Sequence, residues 1–206
     1  MIISEILKDK KHLMKICFQN GEEVLLDKTV CEDNALKKGS SLSEEELIKL
    51  KYNSEYQRAK SRALWYLDRS DYTEKALYTK LLRAGFDKKA SAQVLSRLVE
   101  LSIVDDRRFA ERFAERCAEN NISKRESLHK MLEKGVPYDL AREILDGLET
   151  DQLGQIRALI EKKYSYKLTL LGGGEKVFAA LSRKGFSYTD IRQVLKEYIS
   201  EIGEEY

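Results

Sequence analysis

Proline is almost absent from this chain: one residue in 206, Pro137. Cysteine is scarce and badly placed for chemistry, with Cys17, Cys31 and Cys117 far apart and no C-x-x-C pair. Histidine occurs only at His12 and His129. A zinc site needs close-set Cys and His ligands, and a disulfide framework needs more cysteines in a shorter chain, so neither is expected and reduced structural thiols are the better reading. No apolar run approaches the roughly 20 residues of a membrane-spanning helix. The opening "MIISEILKDKKHLMK" lacks the basic start and apolar stretch of a signal peptide. A cytoplasmic protein without membrane contact is expected. A dominant charge is missing too: 37 Lys and Arg against 35 Asp and Glu leave a net +2, which announces no global field for nucleic acid.

What is present is apolar residue at 42% and charge at 35%, with eleven glycines. That balance favours helices with charged surfaces over an all-β or loop-rich chain. The charge is unevenly spread: residues 59–134 hold 17 Lys and Arg against 12 Asp and Glu, while both flanks are slightly acidic. The middle is therefore a candidate anion-facing region. The first thirty residues have a strand texture. "HLMKICF" and "EVLLDKTV" flank Asn20-Gly21, a dipeptide favoured in two-residue type I′ hairpin turns, and "MIISEIL" offers a third strand. Ser43 with Glu46 three residues later is a capping-box pattern that opens a helical stretch.

The rest of the chain repeats every fifty residues. Gly85, Gly135 and Gly185 share a register with Leu81, Met131 and Leu181 before them and with Phe86, Val136 and Phe186 after them. Val94, Ile144 and Val194 align, as do Leu95, Leu145 and Leu195, then Leu98, Leu148 and Tyr198. One glycine per unit in the left-handed conformation would end a helix, and the residue after it would touch the apolar residue that precedes the glycine by four, as in a Schellman motif. Asp87, Pro137 and Ser187 suit the start of the following helix. A third helix precedes each pair: "YQRAKSRALWYLDR", "DDRRFAERFAERCAEN" and "QLGQIRALIEKKY". The predicted fold is mainly α, three tandem three-helix repeats in an elongated curved array behind a small N-terminal β-hairpin element. The boundaries read are 1–34 for the β element, 35–58 for a connecting helix, and 59–104, 105–150 and 151–206 for the repeats.

No active site stands out. "GGGEKV" at 172–177 departs from a Walker loop, because Glu175 separates glycine from Lys176 and Val177 replaces the hydroxyl that would hold magnesium; a flexible linker is expected instead. Asp105 and Asp106 open a predicted helix, where carboxylates suit the N-terminus. His129 is a lone histidine, and no nucleophile has a supporting context. Trp65, Tyr66 and the other aromatics are read as core. What remains is cationic: Arg83, Lys88, Lys89 and Arg97 in the first unit, and Arg107, Arg108, Arg112, Arg116, Lys124, Arg125 and Lys130 in the second. Such residues meet phosphates or an acidic protein partner, and helix pairs on a glycine turn also suit a freestanding helix-turn-helix DNA reader or a helical scaffold.

The L-x-x-x-G-[FV] turns and "IVDDRRFAERFAE" at 103–115 resemble the RecX family. Its signature is a glycine, two apolar residues, then D-D-x-x-[FY]-A; here Ser102 replaces the glycine and Asp105, Asp106, Phe109 and Ala110 match. The resemblance runs from near Ala59 to the C-terminus. It implies a non-enzymatic regulator without a cofactor, which binds the RecA filament on single-stranded DNA and modulates, by inhibition, its recombinase and ATPase activities. It further implies a role in homologous recombination, DNA repair and the SOS response, a monomer, and at most weak contact with duplex DNA.

Overall fold

The computed structural model describes residues 1–10 and 12–203, with side chains through Tyr198. Three antiparallel strands, β1 (Ile3–Lys8), β2 (Leu13–Phe18) and β3 (Glu23–Asp27), lie in the order β1-β2-β3. They are followed by α1 (Lys28–Asp33), α2 (Glu44–Leu67), α3 (Glu74–Arg83) and α4 (Lys88–Glu100). Next come α5 (Asp106–Glu119), α6 (Lys124–Glu133) and α7 (Tyr138–Gly147). The last stretch holds α8 (Gln152–Leu159), a π-helical turn (Ile160–Tyr164), α9 (Ser165–Leu168), α10 (Gly173–Arg183) and α11 (Tyr188–Gly203). The fold is mainly helical, with a small antiparallel sheet at the N-terminus. The chain divides into two compact units, Met1–Asp105 and Asp106–Tyr206.

In the first unit the sheet buries Ile3, Ile16, Phe18 and Leu26 against Val30, Leu47 and Leu50. The hairpin turn differs from the expected type I′. Cys17 pairs with Glu23, the Phe18 N–H reaches the Glu22 carbonyl, and three residues, Gln19-Asn20-Gly21, make the loop. Gly21 alone of them has positive φ, +87°, whereas a type I′ turn needs two such residues. Asn20 instead accepts the Glu22 N–H at 3.1 Å. "EVLLDKTV" is not strand throughout: the Asp27 side chain accepts the Thr29 N–H at 2.9 Å and starts α1, so the β-branched Thr29 and Val30 are helical. Residues 35–43 are not helical, and α2 runs unbroken from Glu44 through the position expected to divide connector from repeat. The Ser43–Glu46 capping box is present with both of its bonds.

Helix α2 serves two cores. Leu47 and Leu50 belong to the sheet's core, while Ala59 and Ala63 pack with Leu77, Leu81, Val94, Leu95 and Leu98 of α3 and α4. Between them Ser54 Oγ accepts the Asp27 N–H at 2.7 Å, which ties the helix to the end of β3.

The second unit holds two further three-helix groups. Phe109, Ala110, Ala114, Met131, Val136, Ala141 and Leu145 form the core of α5–α7. Ile156, Leu159, Ile160, Val177, Leu181, Phe186, Ile191, Val194 and Leu195 form that of α8–α11. The repeat glycines do what the sequence predicts. Gly85, Gly135 and Gly185 have φ of +88°, +94° and +87°. Each donates to the carbonyl three residues back, and the next residue's N–H reaches Leu81, Met131 or Leu181 at 3.2, 3.0 and 3.3 Å. Those are the two bonds of the Schellman motif. The same pair closes α1, α4 and α5 on Ala35, Ser102 and Asn121, at φ of +48°, +53° and +55°. Ser102 therefore keeps the turn geometry that glycine would give.

The third group departs from its siblings where its connection is long. Rather than loop, residues 160–168 continue the first helix through the π turn into α9. The glycine run is a tight corner, not a slack linker. Gly172 is left-handed at φ +68°, and a Cβ on Gly173 would lie 1.8 Å from the Lys167 carbonyl oxygen, so only glycine fits.

Candidate partner-binding surface

Local chemistry decides which of the candidate cations are available to a partner. In the first unit, Arg83 ends α3 and Lys88 and Lys89 open α4, on either side of the Gly85 turn, all exposed. Asp87 sits among them and caps α4. Its carboxyl is held below the usual range chiefly by the Ala90 N–H and then by that of Lys89. The Lys89 ammonium lies 5.2 Å from the Tyr52 ring centroid. Arg97, further along α4, pairs with Glu100 at 2.9 Å.

In the second unit, helix geometry sorts α5 into stripes. Its buried side carries Phe109, Ala110, Ala114 and Cys117. Arg108, Arg112 and Arg116 recur every four residues on the exposed side, beside Glu111, Glu115 and Glu119 at the same interval. The helix is thus locally polarised without being basic overall. Arg107 is engaged: its guanidinium grips Glu143 of α7 through two bonds of 2.9 and 3.1 Å. Arg157, fifty residues on, grips Glu197 of α11 with two nitrogens, Nε and Nη2, each donating to its own carboxylate oxygen at 3.0 and 3.1 Å. Lys124 is partly buried and donates to the Leu148 carbonyl at 2.7 Å, closing the end of α7. Lys130 pairs with Glu126 at 2.8 Å. Arg125 is exposed at the start of α6, and His129 is exposed on the same helix.

The signature residues are mostly interior. Phe109 and Ala110 are buried in the α5–α7 core. Asp106 is the first residue of α5 and Asp105 stands directly before it, where the dipole favours carboxylates. Two columns of the repeat are invisible to an apolar search, because serine interrupts them. Leu77, Ser127 and Val177 are all buried at one register position, and Ser91, Ala141 and Ile191 at another. A third links the capping residues Thr73 and Ser123 to Gly173. Beyond capping α6, the Ser123 hydroxyl donates to the Lys184 carbonyl at 2.5 Å, joining the second and third three-helix groups. Gln155 adds a bond to the Ala118 carbonyl at 3.0 Å.

The aromatics are not uniformly core. Trp65 is 46% exposed, although Tyr66 and Tyr72 pack partly against the core of the first helical group. Among the described residues no group of His, Cys, Asp and Glu could hold a metal ion, and no helix is long and apolar enough to cross a membrane.

These features define a class, a tandem array of three-helix groups bearing dispersed, partly engaged cations. A family model described as RecX, first three-helix domain, matches residues 59–98, the first of those groups. The chain is 26% identical over 204 residues to the regulatory protein RecX of Streptococcus pneumoniae serotype 19F (strain G54), covering 97% of this chain and 78% of that protein. It is 26% identical over 208 residues to the regulatory protein RecX of Clostridium tetani, covering 97% and 94%. A crystal structure of regulatory protein RecX superposes with a TM-score of 0.71 at 20% identity, over 94% of this chain and 98% of the other. RecX from Lactobacillus salivarius gives 0.63 at 22% identity, over 69% and 96%. The chain is thus similar to RecX proteins along nearly its whole length, in sequence and in fold.

Proposed function

We propose that this protein binds the filament that RecA forms on single-stranded DNA and inhibits its recombinase and ATPase activities. It acts as a cytoplasmic monomer without a cofactor of its own, a binder and not an enzyme. The observation that carries the reading is the match of the first three-helix group to the RecX model, with two further groups built on the same turn. Several linked groups, each making modest contacts, gain affinity through effective concentration, which suits a partner that is itself repetitive. The exposed cations at the Gly85 turn and along α5 would meet acidic protein surface or phosphate.

A freestanding helix-turn-helix reader is less well supported. The helix after the turn must enter a major groove lined by phosphates. In the second group that helix is α7, whose exposed residues include Asp139, Glu143 and Asp146, with Arg142 paired to Asp146 at 3.5 Å. The test is RecA ATPase on single-stranded DNA, with this protein added from substoichiometric to equimolar amounts. The rate is expected to fall; an unchanged rate with no filament binding would overturn the proposal.

A further inference from the structure

The last turns of α2 leave a tryptophan in water in unusual company. Trp65 is 46% exposed, and the Arg69 guanidinium lies 3.8 Å from its ring centroid while donating to the Trp65 carbonyl at 2.8 Å. The Arg62 guanidinium lies 5.4 Å from the same ring. Tyr66 meets Trp65 edge-on at 5.3 Å and Tyr72 at 6.2 Å. From α3, the Lys80 ammonium sits 4.8 Å from the Tyr66 ring and 5.0 Å from Tyr72. Three cations are thus interleaved with three rings on one small patch. The Asp68 carboxylate offsets part of this charge, 3.6 Å from Arg69 and itself 81% exposed.

An indole left half in water gives up burial energy that the core could have used, and arginine is among the few polar side chains that cover an aromatic face favourably. An acidic peptide would need the cations but not the rings. A duplex presents phosphates but keeps its base faces stacked inside. A single strand offers both a phosphate chain and free base faces, and alternating rings and guanidinium planes match that chemistry. We infer that the Trp65 surface, with Arg62, Arg69 and Lys80, is a stacking site for the bases of single-stranded DNA. This deepens the filament reading and rests on it, by naming which part of a RecA–DNA assembly this patch would touch.

Trp65 is the only tryptophan in the chain, so it reports on its own occupancy. An unlabelled oligothymidylate titrated into the full-length protein should quench tryptophan emission saturably. With a labelled oligothymidylate read by anisotropy, Trp65→Ala should raise the Kd about 5- to 150-fold, the equivalent of one lost stacked base. Trp65→Phe should lose less, and Arg62→Ala should lower the salt slope by about one. Circular dichroism melting of each variant separates lost binding from lost fold. Absence of binding overturns the inference, as does binding without quenching or an unaltered Kd for Trp65→Ala in a folded protein. Equal quenching by a duplex or by polyglutamate, or quenching by oligouridylate alone, overturns it as well. These assays contain no RecA, so a negative result here beside altered RecA ATPase would sink this site and leave the filament reading standing.

Discussion

Ser91 places a hydroxyl in the core of the first helical group with no hydrogen-bond partner, at the register position that holds Ala141 and Ile191 in the other two. A buried unsatisfied hydroxyl costs about 1–3 kcal/mol, so Ser91→Ala should raise stability by about 1 kcal/mol once the small void is allowed for, readable as a higher urea midpoint. Cys31 behaves oppositely to a reactive thiol. Burial first, then the charges of Asp27 and Glu32, pushes its pKa up to about 11. At pH 8 native Cys31 should resist iodoacetamide while half-buried Cys17 is modified first, as peptide mass spectrometry would show. The linkage follows in sign. The folded state holds the Cys31 proton more tightly than the unfolded chain, so this contribution is intact below the unfolded thiol's pKa and is lost as pH climbs toward 11.

At the scale of the element, three equivalent glycine turns are not equivalent in surroundings. Gly85 has open space where a Cβ would go, whereas at Gly185 that atom would lie 2.7 Å from Ser123 Oγ and 3.0 Å from Arg125 Cβ. Both have positive φ, so alanine costs about 1–2 kcal/mol of backbone strain at either. Gly185→Ala should cost about 1–3 kcal/mol more through overpacking against the second group. Equal losses in urea unfolding would show that the Ser123 contact yields freely. The turns with glycine were legible as a fifty-residue period. Those on Ala35, Ser102 and Asn121 break that period: asparagine is one of the few residues besides glycine that takes the left-handed cap readily, and Ser102 stands where the signature has glycine, but Ala35 carries no local mark at all. The β3–α1 junction escaped for a related reason: Thr29 and Val30 favour strand, and only the Asp27 cap commits them to a helix.

For the whole molecule, the question is which cations a filament could use. Arg107 and Lys124 are spent inside the second unit, on Glu143 and the Leu148 carbonyl. Arg83 and Lys88 are exposed beside an open turn. Arg83→Glu with Lys88→Glu should therefore weaken binding to RecA filaments several-fold and flatten its salt dependence, with thermal stability little changed. Lys124→Ala should do the reverse, lowering stability and leaving filament affinity nearly intact. Sedimentation with RecA filaments, beside thermal melting, separates the two; a matching loss of affinity in both variants would mean that the cations act only as a diffuse field.

Residue order alone carries the periodic features of this protein. The fifty-residue register, the helix-ending glycines, the caps at Asp87 and Ser187 and the "VDDRRFA" signature are all local patterns, set by backbone sterics and by hydrogen bonds within a few residues. Tertiary structure decides what those patterns leave open. Whether an arginine faces solvent or grips a glutamate thirty-six residues away depends on how helices pack, as with Arg107 and Glu143. The same holds for the serines of the two hidden core columns and for Trp65, which composition assigns to the core. Its helix turns Ala59 and Ala63 inward and leaves the indole among arginines, an outcome fixed by where α3 and α4 lie against α2.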